Sequence, residues 1–201
     1  PTNFTPTGRS VPPSREDLPH QASYAAAGEL VRAGVAIAFA AEGIRVGHAD
    51  FEAGEDGYYV DADFDITFTQ VLEDALNRGV PLNFLIEFEL TRPRWYWFDK
   101  TIVRAAQQRK IASNALPRQY RVSIGSLHQS YTRLDDAKQV LSRVRDWLVT
   151  DRRLKPTAGM DAMLRMRLDV SALPKPFQIN ALVSKDWSLT SDWQRLSVST
   201  P

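Results

Sequence analysis

Three aspartates alternate with other residues in the stretch "DADFD", and their spacing suggests metal binding or acid–base chemistry. Asp61, Asp63 and Asp65 match the first positions of a calcium loop, but that loop needs Gly at its sixth position and Glu at its twelfth. A hydrophobic residue stands at the sixth position here. On a strand, the three carboxylates would line one face. We therefore expect a solvated acidic face, paired across strands with arginines such as Arg165 and Arg167.

Two further groups have residue types that catalysis uses. Glu87 and Glu89 would suit the carboxylate pair of a glycoside hydrolase. His128 lies near Ser130 and Asp135 in sequence, so a serine–histidine–aspartate set is conceivable. The chain has no G-x-S-x-G nucleophile elbow around these residues. We expect surface carboxylates and a loop or surface histidine, and we assign no catalytic residue.

The stretch "LTRPRWYWFDK" interleaves cations with aromatic rings. This composition is typical of single-stranded nucleic-acid binders, of partner-binding surfaces, or of a packed hairpin. Rings on alternate positions of a strand face opposite sides, and acids flank the stretch, so a flat stacking platform is disfavoured. We expect a hairpin that packs on the core and presents an edge. The candidate partner-binding residues are Arg92, Arg94, Trp95, Tyr96, Trp97 and Phe98.

Composition narrows the classes of function. Lys and Arg total 25 and Asp and Glu total 24, so the net charge of +1 provides no general attraction to nucleic acid. The chain has no cysteine, which excludes disulfides, thiolate nucleophiles and iron–sulfur clusters. Its three histidines are far apart in sequence. We expect no cofactor, no metal and no nucleic-acid partner.

Residues 1–41 differ in composition from the rest of the chain. Their first half is rich in Pro, Ser and Thr and lacks apolar periodicity, which predicts a disordered leader. The second half is an alanine-rich apolar run in which Ala38-Phe39-Ala40 has the form of a signal-peptidase site. The run is too short to span a bilayer. It is either a degenerate export signal, or an amphipathic helix or strand lead-in.

Residues 42–201 carry mostly period-two patterns, which predict about eight strands. Asp56-Gly57 is a hairpin signal, and the inward positions of the strand before it would include His48 as a hydrogen-bonded core histidine. A helix is predicted at Gln70–Asn77, and a second one follows a cap at Thr132 and extends to Leu148. Phe177 to Val183 is predicted as a strand. The fold class is therefore mainly β (α+β), an antiparallel, β-sandwich-like single domain with two short helices.

Several long blocks resemble a known family. "YYVDADFDITF", "PLNFLIEFELTRPRWYWFDK" and "LRMRLDVSALPKPFQINAL" are similar to the proteobacterial domain of unknown function family 4390, over about residues 44–201. The resemblance implies an exported protein with an N-terminal signal segment. It also implies a gene beside those of a nitrogen-type two-component sensor kinase and a ribosomal RNA methyltransferase. It implies no known activity and no catalytic residues.

The sequence thus leaves three hypotheses for function. The first is a non-enzymatic periplasmic or envelope-associated interaction protein, an accessory to a membrane sensor with a membrane or periplasmic protein as its partner. The second is an enzyme of unrecognised type that uses the aspartate row or His128. The third is a single-stranded nucleic-acid binder that uses the Arg/Trp hairpin. A cytoplasmic location is the alternative to the periplasm.

Overall fold

The structure is a computed structural model, and it describes residues 43–92, 100–114, 116, 118–154 and 159–197, without the side chains of 182 and 183. The strands are β1 (Gly43–Ala53), β2 (Gly57–Thr67), β3 (Leu82–Arg92), β4 (Lys100–Asn114), β5 (Gln119–Ile124), β6 (Leu127–Tyr131), β7 (Arg143–Asp151), β8 (Asp161–Leu168) and β9 (Gln194–Leu196). The helices are α1 (Gln70–Asn77), α2 (Leu134–Ser142) and α3 (Lys175–Val183), with single 3-10 turns at Val170–Ala172 and Lys185–Trp187.

The strands form two antiparallel sheets. The small sheet has the order β1-β2-β7, and the large sheet has the order β6-β5-β4-β3-β8-β9. Their inner faces meet through aromatic pairs. Phe51 of β1 packs on Phe88 of β3 with 5.2 Å between ring centroids, and Phe68 stacks on Phe84 at 5.8 Å. The predicted mainly β, sandwich-like class is confirmed.

The core follows from strict alternation along the central strands of the large sheet. Every second residue of β3 and β8 points inward, because successive side chains of a strand face opposite sides. Helix α2 contacts β2 as well as β4, β5 and β6, so it covers inner surface of the large sheet that lies nearer the β6 end. The buried inward residues of the two strands are Leu82, Phe84, Ile86, Phe88, Leu90, Ala162, Leu164, Met166 and Leu168.

Helix α1 forms where the sequence predicts it. The Thr69 hydroxyl accepts a hydrogen bond from the Leu72 backbone N–H at 3.2 Å, which satisfies one of the free donors of the first turn. Just beyond the last turn, Gly79 has a φ of +88°, a conformation that glycine adopts without strain. The capping residues at both ends were therefore sufficient to predict the bounds of α1.

The second predicted helix is wrong in its extent and its cap. Helix α2 covers only nine residues, its N-cap is Arg133 rather than Thr132, and no side chain caps it. The chain then becomes strand β7, which pairs with β2. Ala137 and Leu141 of α2 and Val144 of β7 are all buried, so apolar residues three and four apart continue across the helix end. The helical spacing of these apolar residues is therefore not enough to keep the chain helical after Ser142, because pairing with β2 decides its conformation there.

The strand predicted for Phe177–Val183 is also wrong, because this segment is helix α3. Pro174 is the N-cap and Pro176 lies in the first turn, where a missing N–H costs nothing. Ile179, expected on the buried face of a strand, is largely exposed. Strand β6 was not predicted at all. Its residues are mostly exposed and show no apolar alternation, so the sequence carries little signal for it.

A bulge in β1 overturns the expectation for His48. The pairing of β1 with β2 shifts between Val46 and His48, which leaves Gly47 as an extra residue. An extra residue reverses the facing of everything that follows it. His48 therefore lies on the outer face, where its Nε2 contacts Asp50 Oδ2 at 2.5 Å, and Phe51 takes the inward position.

Candidate functional site

The described part of the β3–β4 hairpin ends in two exposed cations. Arg92 and Lys100 lie directly opposite each other, and both are exposed. The register shifts between Leu90 and Thr91, so a bulge separates the buried part of the hairpin from its end. We call Arg92 and Lys100 the hairpin end. The other candidate partner-binding residues, Arg94, Trp95, Tyr96, Trp97 and Phe98, lie outside the described residues.

The aspartate row lies on the outer face of the small sheet, and its arginine partners come from β7. Arg145 Nη2 donates to both oxygens of Asp63, at 2.8 Å each, and Arg143 Nε lies 3.8 Å from the same carboxylate. Asp61 accepts a hydrogen bond from the Asp146 backbone N–H at 2.7 Å. The pairing expected with the arginines of β8 is wrong. The predicted second helix covered most of β7, so the strand that actually pairs with β2 was not considered.

An acidic hollow of about 420 Å³ lies on this outer face, at the β1–β2 hairpin and the bulge of β7. Asp50 and Asp61 are directly opposite each other in it, an arrangement that is unfavourable for like charges. Asp63 and Asp65 are not part of its wall. Within the described residues, no three acidic or histidine side chains are placed to hold a metal ion. The carboxylates of the hollow are Asp50, Glu52, Glu55, Asp56, Asp61 and Asp146.

Glu87 lies on the outer face of the large sheet between two arginines of β8. Arg165 Nε donates to Glu87 Oε2 at 2.6 Å, and Arg167 Nη2 donates to Oε1 at 3.1 Å. Burial alone would raise the pKa of the Glu87 carboxyl, but the hydrogen bonds and charges of Arg167 and Arg165 outweigh it and hold the pKa below its usual value.

Glu89 has its own partner, Arg104 of β4, at 2.8 Å. The guanidinium of Arg165 also lies 4.4 Å from the ring centre of Trp193, a cation–π contact. Glu87 and Glu89 are therefore members of separate ion pairs. They do not form the paired carboxylates of a glycoside hydrolase.

His128 lies on β6, on the outer face of the large sheet, and not beside Asp135. Asp135 is on α2, where it pairs with Lys138 at 3.2 Å and lies 3.9 Å from Arg133. The contact of His128 is Ser123 on β5, with 2.8 Å between Nδ1 and Oγ. No Ser130–His128–Asp135 set is assembled. The Ser123 contact depends on the β5–β6 register, which sequence reasoning missed together with β6 itself.

Arg109 is a buried cation that sequence reasoning also missed. It points inward from β4, is 3% exposed, and its Nη1 donates to the carbonyls of Val140 (3.1 Å), Leu141 (3.0 Å) and Arg143. These carbonyls end α2 and begin β7, so the guanidinium caps the negative end of the helix. Burial, with a smaller contribution from the charge of Arg145, lowers the pKa of Arg109 to about 10. Arg109 is structural, and it ties the large sheet to the small one.

None of the described helices has the length and apolar content needed to cross a lipid bilayer.

Comparison with known proteins gives a family but no activity. The family model described as "Domain of unknown function (DUF4390)" matches residues 41–197, and the chain belongs to this family. No curated protein and no solved structure matches the chain.

Proposed function

We propose that this member of the DUF4390 family is a non-enzymatic binding protein of the bacterial envelope. It lies in the periplasm and uses the hairpin end to bind an acidic surface of a membrane or periplasmic protein. In this role it is an accessory to a two-component sensor.

The observation that carries the proposal is that Arg92 and Lys100 lie directly opposite each other at the hairpin end. Strand β3 pairs with β4 on one side and β8 on the other, and Leu90 is fully buried two residues before the end. Two cations directly opposite each other on adjacent strands repel and lower the stability of the hairpin. A partner carboxylate placed between them would remove that repulsion and be fixed in position by both.

The other two hypotheses have less support. Two of the three carboxylates of the aspartate row already have partners, since Asp63 is bound by Arg145 and Asp61 by a backbone N–H. A nucleic-acid strand needs a longer track of cations than the two described residues of the hairpin end, and the net charge of the chain is only +1.

Location in the envelope rests on the sequence. The small-x-small motif at Ala38-Phe39-Ala40 and the resemblance to exported family members support an exported protein. The proposed link to a sensor kinase rests on the same resemblance.

Charge reversal tests the proposal. The full chain would be expressed in its native host as wild type, as Arg92→Glu/Lys100→Glu, and as a control with the same change in net charge, Lys175→Glu/Lys185→Glu. The control lysines are exposed and lie on α3 and the following 3-10 turn. Affinity isolation from the membrane and periplasmic fractions should recover the same protein with wild type and control but not with the hairpin variant. Equal recovery by all three proteins would contradict the proposal, as would recovery of nucleic acid in place of a protein.

A further inference from the structure

Four polar residues of the large sheet form a straight row across its outer face. His128 on β6 lies opposite Ser123 on β5, which lies opposite Lys110 on β4, which lies opposite Asn83 on β3. Neighbouring strands are about 4.8 Å apart, so the row is about 14 Å long. It forms part of the wall of an open cleft of about 620 Å³, which we call the transverse cleft.

The row presents hydrogen-bond donors and one full positive charge. Lys110 is exposed, and its ammonium group has no acidic partner within the described residues. The hydroxyl of Ser123 and the ring of His128 are in contact at 2.8 Å, which fixes their relative orientation. The described wall of the cleft contains no carboxylate. The transverse cleft is therefore suited to a ligand that carries negative charge.

The β5–β6 turn closes one end of the cleft with backbone. Ile124 and Leu127 are opposite each other, so Gly125 and Ser126 form a two-residue turn, and Gly125 has a φ of +57°. A positive φ at the first turn position only is the geometry of a type II′ turn, which favours glycine there. The backbone of this turn lies in the cleft wall beside His128.

Asn83 provides the observation that points to a ligand. The residue is only 8% exposed, and its side chain forms no hydrogen bond within the described residues; its backbone carbonyl accepts one from the Asp169 N–H at 2.7 Å. No described side chain has a fully buried nitrogen or oxygen without a partner, so the amide of Asn83 must reach the opening of the cleft. An amide held in a nearly buried residue and open to the cleft is fixed in position and available to hydrogen-bond a ligand there.

We propose that the transverse cleft binds a small, hydroxylated anion: a phosphate group on a glycerol- or sugar-sized body. The phosphate accepts hydrogen bonds from Lys110 and from the neighbouring Asn83 amide, and the hydroxyl groups of the body extend along the row to Ser123 and His128. The length of the row selects an elongated ligand over bare phosphate. A free metabolite and the headgroup of an anionic phospholipid share this chemistry. The inference is independent of the hairpin end and concerns a different surface.

Backbone amide NMR of the full chain tests the site with defined probes. Glycerol 3-phosphate and glucose 6-phosphate would be titrated, with inorganic phosphate and glucose as comparisons. We expect at least one of the two esters to shift the amides of Ser123, Gly125 and His128 in a saturable manner, and to bind more tightly than either comparison probe. Binding by inorganic phosphate or glucose as tight as by the esters would overturn the proposal, as would shifts spread over the small sheet.

Two lysine variants separate the site from general charge. Lys110→Gln should weaken binding of the ester about tenfold, the effect of one charge-assisted hydrogen bond. Lys175→Gln removes the same charge from an exposed position on α3 and should leave the affinity unchanged. Equal loss in both variants would show non-specific attraction and overturn the proposal.

Vesicles distinguish the two sources of the ligand. Phosphatidylglycerol vesicles carry a glycerol phosphate headgroup, and phosphatidylcholine vesicles are the control. Co-sedimentation of wild type, but not of Lys110→Gln, with phosphatidylglycerol alone would identify a lipid headgroup. Binding of the soluble esters without co-sedimentation would identify a free metabolite. Failure of both arms would refute the proposed site.

The Asn83→Leu variant distinguishes a ligand-binding role of Asn83 from a purely structural one. If the amide is kept for a ligand, replacing it with an apolar group of similar size should lower affinity severalfold while the thermal midpoint stays equal or rises. A fall in the thermal midpoint with unchanged affinity would show that Asn83 serves only the fold, and would contradict its assigned role.

Discussion

The two sheets share one core, but their outer faces differ in the charges that they expose. On the small sheet, Asp50 lies opposite Asp61, and the acidic hollow around them is lined by carboxylates. On the large sheet, Glu87 and Glu89 are each held by arginines. Exposed cations of the large sheet include Arg92 and Lys100 at the hairpin end and Lys110 in the transverse cleft.

The difference shows that a conspicuous row of like residues is a poor guide to a site. Two members of the aspartate row are bound within the fold, Asp63 by Arg145 and Asp61 by the backbone of β7. Asn83, a single residue with no motif around it, is nearly buried and has an amide without a partner in the described structure. A polar group without a partner inside the fold indicates where an external partner would gain the most.

The largest expected effect comes from breaking the connection between the two sheets. Arg109→Met should lower the free energy of unfolding by about 3–5 kcal/mol, because it leaves three carbonyls without their donor in a buried place. Urea denaturation measures this loss. Arg104→Ala, an exposed change on the same strand, is the control and should cost less than about 1 kcal/mol. A similar, small loss in both variants would show that Arg109 does not connect the sheets.

Smaller losses of stability are expected when one ion pair on each sheet is broken, and the two losses can be compared. Glu87→Gln removes a mostly buried carboxylate, 19% exposed, from two arginines and should cost about 1.5–3 kcal/mol. Asp63→Asn removes a carboxylate from pairs that are about half exposed, and should cost about 0–1 kcal/mol. Denaturation of both variants at pH 7 gives the comparison. The reverse order would mean that the small sheet depends more on its ion pairs than the large one.

The pH dependence of the Glu87→Gln variant tests the direction of the pKa change of Glu87. The folded-state pKa of Glu87 lies below the unfolded value of about 4.3, so its stabilisation is fully present above that pH. It is lost as the pH falls through the folded-state pKa. The stability difference between wild type and Glu87→Gln should therefore shrink as the pH is lowered from 5 toward 2. A difference that grows on acidification would contradict the assigned pairing.

The smallest effect is a gain on the small sheet. Asp61→Asn keeps an oxygen for the Asp146 N–H and removes one of two directly opposed charges, so stability should rise by about 0.2–1 kcal/mol. Thermal denaturation at low salt measures it, and high salt should reduce the gain. A loss of stability would show that the charge itself is needed in the acidic hollow.

Sequence patterns were sufficient for the local parts of this fold. The Asp56-Gly57 signal predicted the β1–β2 hairpin, and capping signals predicted α1 with its bounds. The patterns failed where pairing with a distant strand decides the local conformation. At the end of α2, for example, the chain continues as strand β7 because it pairs with β2. Proline in the first turn, more than apolar spacing, marks α3.

The candidate sites were less predictable than the fold. Arg92 was named from its sequence context, but its position opposite Lys100 depends on a bulge that no local pattern reveals. The row from His128 to Asn83 joins residues 45 positions apart through three strand registers, and Arg109 acts on a helix end more than 30 residues away. Such placements follow from strand order, which a single sequence does not give.

The most direct test of the account is whether the partner surface lies on the large sheet. A photoreactive amino acid would be placed in the full chain at Arg92 or Lys100, and at the exposed positions Glu52 or Asp65 of the small sheet, in the native host. After irradiation, positions 92 and 100 should each crosslink to one and the same envelope protein, and positions 52 and 65 should not. Crosslinks to a protein only from positions 52 and 65 would contradict the account and place the interaction on the acidic face.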